Sequence, residues 1–173
     1  LMLLHEARRE TRVDAAGDFV LLEDQDRSRW DREQLAEARS LLARALRLRR
    51  VGPYVLQAAI LDLHTEAPST AATDWPQIVA LYDVLRRIDP SPVVALNRAV
   101  ALGMRDGPAA GLAAVDAVLA EGNLENYHLA HAARADFQRR LGEIGSARGS
   151  YERALSLTQQ PAEHRFLQAR LAQ

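Results

Sequence analysis

The chain has 173 residues and a formal net charge of −1, with 48% hydrophobic and 26% charged residues. These proportions are typical of a soluble globular protein with a sizeable core. Cysteine is absent, which excludes disulfide bonds and thiolate metal sites and makes a cytoplasmic location the expected one. The balanced charge argues against direct nucleic-acid binding by this chain, and no apolar run is long enough for a membrane span.

The first nine residues, LMLLHEARR, have the pattern of the inside of an amphipathic helix, with no capping residue before them. We therefore expect the chain to be a fragment of a longer protein whose missing part lies upstream. The helical period stops after Arg12, and residues 13–30 form an 18-residue connecting strap. Connections of this length are uncommon in compact domains and often have a function.

Eight further helices are predicted from capping residues, prolines in first turns and glycine turns. Asp31, with Gln34 three residues later, predicts the N-terminus of the first of them. Alternation with period two never lasts more than a few residues, so the chain is predicted to be all-α. The predicted helices span residues 32–49, 53–66, 75–88, 92–104, 108–121, 125–141, 144–158 and 161–171.

An internal repeat is visible in the spacing of apolar residues. Offsets of 0, 4 and 7 residues occur at Ile78, Tyr82 and Leu85 and again, 69 residues later, at Ala147, Tyr151 and Ala154. Midway between these two segments, the same three offsets fall near Leu112 or Ala113, Asp116 or Ala117, and Leu119 or Ala120. Two periods of about 34 residues, each built as helix-turn-helix, predict a tetratricopeptide-like (TPR-like) stack over roughly residues 74–160.

The predicted fold is therefore an all-α, TPR-like superhelix with an N-terminal helix and the 18-residue connecting strap. Residues 1–31 are interpreted as the end of an upstream helical linker region plus the strap. Residues 32–173 are interpreted as the repeat domain, forming one compact unit with residues 1–31.

The segment LEDQDRSRWD, residues 22–31, is the most unusual stretch, because six of its ten residues are charged. Its carboxylates could serve as acids, bases or metal ligands, but neighbouring arginines lower carboxylate pKa values rather than raising them toward neutrality. We therefore favour a structural or docking role, with Trp30 as an apolar anchor and the arginines bound to carboxylates or helix C-terminal carbonyls. The residues assigned to this role are Asp24, Asp26, Arg27, Arg29, Trp30 and Asp31.

A basic face is predicted on the helix that begins after Asp31. Five arginines and no acid lie within residues 39–50. This face could meet an acidic partner or phosphates, although arginines near a helix C-terminus also complement the helix dipole. The residues proposed to face a partner are Arg39, Arg44, Arg47 and Arg50.

Two histidines three residues apart, His128 and His131, with Asp136 further along the same predicted helix, form the one candidate metal cluster. Zinc-protease helices place their histidines four residues apart with an intervening glutamate, which this segment lacks. Packing of one histidine and solvation of the other is the favoured interpretation. No cofactor and no catalytic or metal-binding residue is expected.

Five blocks run through the chain in order: VLLEDQDRSRWD (20–31), GPYVLQAAI (52–60), TDW (73–75), PSPVVALNRAV (90–100) and YHLAHAARAD (127–136). Together they resemble bacterial extracytoplasmic-function (ECF) sigma factors that carry a long C-terminal TPR-like extension. In that family the promoter-reading and polymerase-binding domains precede the extension. The resemblance implies that this chain is the extension alone.

The function implied by this resemblance is regulatory control of transcription initiation through protein interaction. The implied partners are the upstream sigma-factor domains of the same protein and core RNA polymerase or a regulatory protein. Promoter DNA would be contacted only through the missing N-terminal domains, and no membrane is involved. The alternatives are a stand-alone TPR-type adaptor and a metal-dependent enzyme that uses His128, His131 and Asp136.

Overall fold

The computed structural model describes residues 1–49 and 51–172, and within them the regular structure is helical, without a β-strand. The all-α prediction is confirmed. A lone antiparallel bridge joins Val13 to Phe19 inside the connecting strap. The helices are α1 (Met2–Glu6), α2 (Arg32–Arg47), α3 (Pro53–Glu66), α4 (Trp75–Ile88), α5 (Pro92–Asp106), α6 (Pro108–Ala120), α7 (His128–Arg140), α8 (Ile144–Leu157) and α9 (Pro161–Leu171).

Local signals explain most of these boundaries. Five helices carry proline in the first turn, where its missing N–H breaks no helical hydrogen bond. The predicted N-terminal helix, which was expected to reach Arg12, ends at Glu6 instead. The carbonyl of Ala7 accepts the backbone N–H of Asp31 at 2.8 Å, and a short 3₁₀ turn, Arg9–Thr11, follows. The long-range hydrogen bond from Asp31 therefore occupies the carbonyl of Ala7, which would accept a helical N–H if α1 continued.

Contacts divide the chain into two compact units, Leu1–Asp89 and Pro90–Gln173. Residues 1–31 belong to the first unit, where α1 packs against α2 and α3. The division falls after Asp89. No helix in the described part of the chain combines the length and apolar character needed to cross a bilayer.

Unit 1, residues 1–89, has a core in which the connecting strap takes part. Leu4 of α1, Trp30 of the strap and Leu35 of α2 are buried together with Leu61 of α3. Trp30 therefore anchors the strap in the apolar core, so the strap does not lie only on the surface of unit 1.

Unit 2, residues 90–173, is built from two helical hairpins, α5–α6 and α7–α8, followed by α9. Gly103 of α5 meets Gly111 of α6 closely, and the ring of Phe137 from α7 lies against both. Phe137 is 2% exposed. Glycine is needed at both positions because a side chain would occupy the space of the ring.

The repeat frame expected for the middle helix is displaced by one or two residues from the observed one. The buried residues of α6 are Gly111, Val115 and Val118, which have the offsets 0, 4 and 7. Asp116 instead forms an ion pair with Arg134 at 2.6 Å on the half-exposed side of the helix. Glycine occupies the first buried position of this repeat, and a search for apolar residues does not detect it.

Candidate functional site

The LEDQDRSRWD segment divides into residues that hold unit 1 together and residues that remain on its surface. Asp26 begins the 3₁₀ turn Arg27–Arg29, accepting a hydrogen bond from the backbone N–H of Ser28 at 3.0 Å. Trp30 is buried, whereas Asp24, Arg29 and Asp31 are exposed. The two groups have different roles.

Arg27 connects the segment to the end of α3. One of its terminal nitrogens donates to the carbonyls of His64 at 2.7 Å and Ala67 at 2.9 Å. These carbonyls lie in the last turn of the helix and just beyond it, where helical hydrogen bonds run out. The guanidinium also lies 4.7 Å from the ring centroid of Trp30. The expectation that an arginine here binds helix C-terminal carbonyls is confirmed for Arg27.

Trp30 is the anchor of the segment. Its side chain is buried in the unit 1 core, and its indole N–H donates to the hydroxyl of Thr11 at 2.9 Å. The hydroxyl of Thr11 in turn donates to the carbonyl of Arg8. Both the apolar ring and the polar N–H are therefore satisfied inside the core.

Asp31 joins α1 to α2. Its carboxylate caps α2 by accepting the backbone N–H groups of Glu33 and Gln34, and its own N–H donates to Ala7. The predicted cap is confirmed, with one difference. The side chain of Gln34 donates to the Asp31 carboxylate at 2.8 Å rather than closing on the backbone. Hydrogen bonds from Gln34 lower the pKa of Asp31, so the cap is charged at neutral pH.

The exposed side of the segment borders a polar cleft of about 680 Å³. Arg29 and Asp31 line the cleft together with Glu6 and Glu10 of the preceding segment. Arg29 lies 3.8 Å from Glu10, and both side chains are largely exposed. An exposed ion pair at this distance contributes little to stability, so these charges remain available to a partner.

A partly buried cationic cluster beneath the segment was not predicted from the sequence. Arg8, Arg27 and His64 approach one another inside unit 1, and each has a buried nitrogen without a hydrogen-bond partner in the described structure. Burial, followed by the charges of Arg8 and Arg27, lowers the pKa of His64 to about 4. Burial also lowers the pKa of Arg8 and of Arg27. A third positive charge at His64 is therefore strongly disfavoured.

We expect unit 1 to lose stability as the pH falls from about 6.5 to about 4. Below its unfolded pKa of about 6.5, His64 gains a proton in the unfolded chain that the folded chain still excludes. The free energy of unfolding of unit 1 keeps its full value above pH 6.5 and falls progressively toward pH 4, by on the order of 3 kcal/mol. Tryptophan fluorescence during urea unfolding measures it, because both tryptophans, Trp30 and Trp75, lie in unit 1.

The variant His64→Gln should remove most of this pH dependence, and the control His131→Gln, in unit 2, should leave it intact. Equal losses of stability in the wild type and in His64→Gln between pH 7 and pH 4.5 would contradict the assignment.

The predicted basic face of α2 is only partly free. Arg39 binds Asp62 of α3 through an ion pair of 2.8 Å, so it fastens two helices together. Arg44 and Arg47 are exposed. Arg50, the fourth predicted member, lies outside the described residues. The basic face therefore contains Arg39, which joins α2 to α3, and the exposed Arg44 and Arg47 near the end of α2.

His128, His131 and Asp136, the alternative metal cluster, do not come together in the described structure. His128 lies 3.0 Å from Glu163, and the ring of His131 is hydrogen-bonded to the Glu125 carbonyl. Asp136 pairs with Arg139 at 2.7 Å. Across residues 1–49 and 51–172, no three potential ligands from histidine, cysteine or acidic residues are grouped for a metal ion. The three side chains instead take separate partners.

The fold and the site define a class of protein: a helical-repeat domain that is preceded by a charged segment anchored in the core. A family of unknown function, DUF6596, matches residues 1–46, which contain α1, the connecting strap and nearly all of α2. The uncharacterized protein R00370 of Rhizobium meliloti (strain 1021) is 44% identical over 171 residues. The match covers 99% of this chain and 40% of that protein, so the chain spans about two fifths of this relative. No solved structure matches.

Proposed function

We propose that this chain is the C-terminal regulatory and protein-interaction domain of an ECF sigma factor and contributes to the control of transcription initiation by RNA polymerase. The observation that carries the proposal is the order of the five sequence blocks, from residue 20 to residue 136, that resemble such extensions. A relative more than twice the length of this chain is compatible with additional domains in the same polypeptide.

The geometry of the LEDQDRSRWD segment supports a docking role for its exposed side. Arg27 and Trp30 fix the segment to α3 and to the core, so its surface charges are presented on a rigid support. Asp24 and Arg29 are exposed, and Arg29 lines the polar cleft. A surface that carries both signs of charge suits a protein partner with complementary charges better than a polyanion.

The test is a pull-down of this chain against the sigma-factor domains and, separately, against core RNA polymerase. We expect binding to at least one of them. The double charge reversal Asp24→Arg with Arg29→Glu should weaken it about tenfold or more. The variant Arg148→Glu is the matched control, because Arg148 is an exposed arginine of α8 whose ion partner is Glu152 on the same helix.

The reversal is more informative than substitution of the buried anchor, because Asp24 and Arg29 are exposed and their exchange should leave unit 1 folded. Failure of both partners to bind the folded wild-type chain would refute the sigma-factor role. Binding that survives the reversal would move the docking surface away from this segment.

A further inference from the structure

The connecting strap is fixed in the core of unit 1 at its last residue, Trp30, and is held lightly elsewhere. Among residues 13–29, only Gln25 is buried. Its side chain is bonded to the hydroxyl of Thr11 across a long 3.4 Å. Leu22 packs against the edge of the core but is only partly buried. Segments with so few buried contacts open at a lower free energy than the core does.

Arg27 attaches the strap to α3. Its Nη1 atom donates to the carbonyls of His64 and Ala67 at 2.7 and 2.9 Å. Its other terminal nitrogen, Nη2, is buried and has no hydrogen-bond partner in the described structure. The same is true of Nε of Arg8 and Nδ1 of His64. Because a buried polar atom without a partner costs free energy, the closed strap combines two short hydrogen bonds with three unfavourable nitrogens.

Like charges also meet beneath the closed strap. The guanidinium groups of Arg8 and Arg27 add to the effect of burial, which lowers the pKa of His64 to about 4. Burial, followed by the charges of Arg12 and Arg27, lowers the pKa of Arg8. In the part of the chain that the structure describes, neither Arg8 nor Arg27 is paired with a carboxylate. Their repulsion opposes closure, and it weakens when Arg27 moves into water, where the dielectric constant is high.

The described surroundings of His64 supply no counter-charge either. On α3, Asp62 is paired with Arg39 at 2.8 Å and Glu66 is exposed. On the side of α4, the ring of His64 meets the ring of Trp75 with 5.2 Å between the centroids. A proton on His64 is therefore unfavourable while the strap is closed, and opening of the strap removes that penalty.

We infer that the connecting strap is a latch that opens locally while the rest of unit 1 stays folded, and that Arg27 controls its opening. In the open state Arg27 leaves the carbonyls at the end of α3, and Trp30 remains in the core as the fixed end. Asp24 and Arg29 then lose their fixed positions. The latch thus regulates the docking surface of the proposed function, and only this regulatory consequence rests on that proposal.

Thiol labelling tests the latch, because the chain has no cysteine of its own. Gln25→Cys places a single thiol at the buried strap position, and Ser150→Cys places the same probe in the core of unit 2. Each labelling rate is divided by that of the urea-unfolded chain at the same pH. Labelling at position 25 should be at least about tenfold faster than at position 150. It should rise about tenfold from pH 7.5 to pH 5.5, since in this range His64 binds a proton only in the open state.

Three substitutions in the Gln25→Cys chain separate the contributions to closure. Arg27→Gln should speed labelling about tenfold, because the attachment to α3 is lost. Arg8→Gln should slow labelling about threefold, because closure then no longer brings two cations together. His64→Gln should remove the pH dependence. The control Arg9→Gln, which replaces an exposed neighbour of Arg8, should leave the rate and its pH dependence unchanged.

Three outcomes would overturn the inference. The first is labelling that occurs only when unit 1 unfolds, as measured by tryptophan fluorescence in urea, both in Gln25→Cys and in a second probe of the strap, Leu22→Cys. The second is unchanged or faster labelling in Arg8→Gln, and the third is an unchanged pH dependence in His64→Gln. Failure of the sigma-factor pull-down together with the expected labelling would refute the proposed function and leave the latch standing.

Discussion

Replacement of Trp30 by alanine should destabilise unit 1 by about 3 to 5 kcal/mol, the range for removal of a large aromatic side chain from a packed core. Trp30 is 4% exposed and packs among residues from α1, α2 and α3. Its loss also removes the indole donor to Thr11 and the ring beneath the Arg27 guanidinium. Urea unfolding followed by far-UV circular dichroism measures the change, because fluorescence would then report Trp75 alone.

The conservative variant Trp30→Phe separates the two contributions of this side chain. Phenylalanine retains most of the apolar contact but removes the N–H donor, so the expected loss is about 1 to 2 kcal/mol. The exposed variant Arg29→Ala is the control and should change the unfolding free energy by less than about 0.5 kcal/mol. A stable Trp30→Ala chain that had lost binding to its partner would show that Trp30 contacts the partner directly rather than anchoring the segment.

Replacement of Gly103 or Gly111 by alanine should destabilise unit 2 by about 2 to 3 kcal/mol, because a methyl group would be forced into a filled space. A Cβ atom on Gly103 would lie 2.9 Å from the Cα of Gly111, and one on Gly111 would lie 2.7 Å from the Cα of Gly103. Both would also overlap the ring of Phe137. Backbone approaches of this kind leave no flexible side chain that could simply turn away.

Gly149→Ala is the matched control for these substitutions. Gly149 lies within α8, is exposed, and has no atom within 4 Å of the added methyl group. There the intrinsic preference of alanine for the helix should raise stability by up to about 1 kcal/mol. Far-UV circular dichroism during urea unfolding reports both changes. An unchanged or increased stability of Gly103→Ala would contradict the close packing of α5 on α6.

The boundaries of most helices followed from the sequence because their signals are local. Asp31 and Asp74 accept hydrogen bonds from N–H groups within the following three residues. Pro53 and Pro92 occupy first turns, where a fixed φ favours the helix. None of these interactions needs a contact from elsewhere in the chain, so each can be recognised from a few letters.

The features that the sequence did not reveal depend on neighbours that are distant in sequence. Gly111 occupies the smallest buried position of its repeat because α5 and the Phe137 ring lie against it, and a search for apolar residues passes over it. The cationic cluster unites Arg8, Arg27 and His64, whose sequence separations are far beyond any helical period. His128 and His131 share a helix turn in the sequence, yet each is oriented toward a different partner.

The sequence by itself determined that this protein is all-α, where most of its helices begin, and that residues 22–31 are exceptional, because capping, proline geometry and charge density act over a few residues. Only the tertiary structure decided which charged residues are structural. It placed Arg27 on the carbonyls at the end of α3, Arg39 on Asp62, and left Arg29 and Arg44 at the surface. Four arginines of the same chemistry thus differ in role because burial and partner geometry are properties of the folded chain.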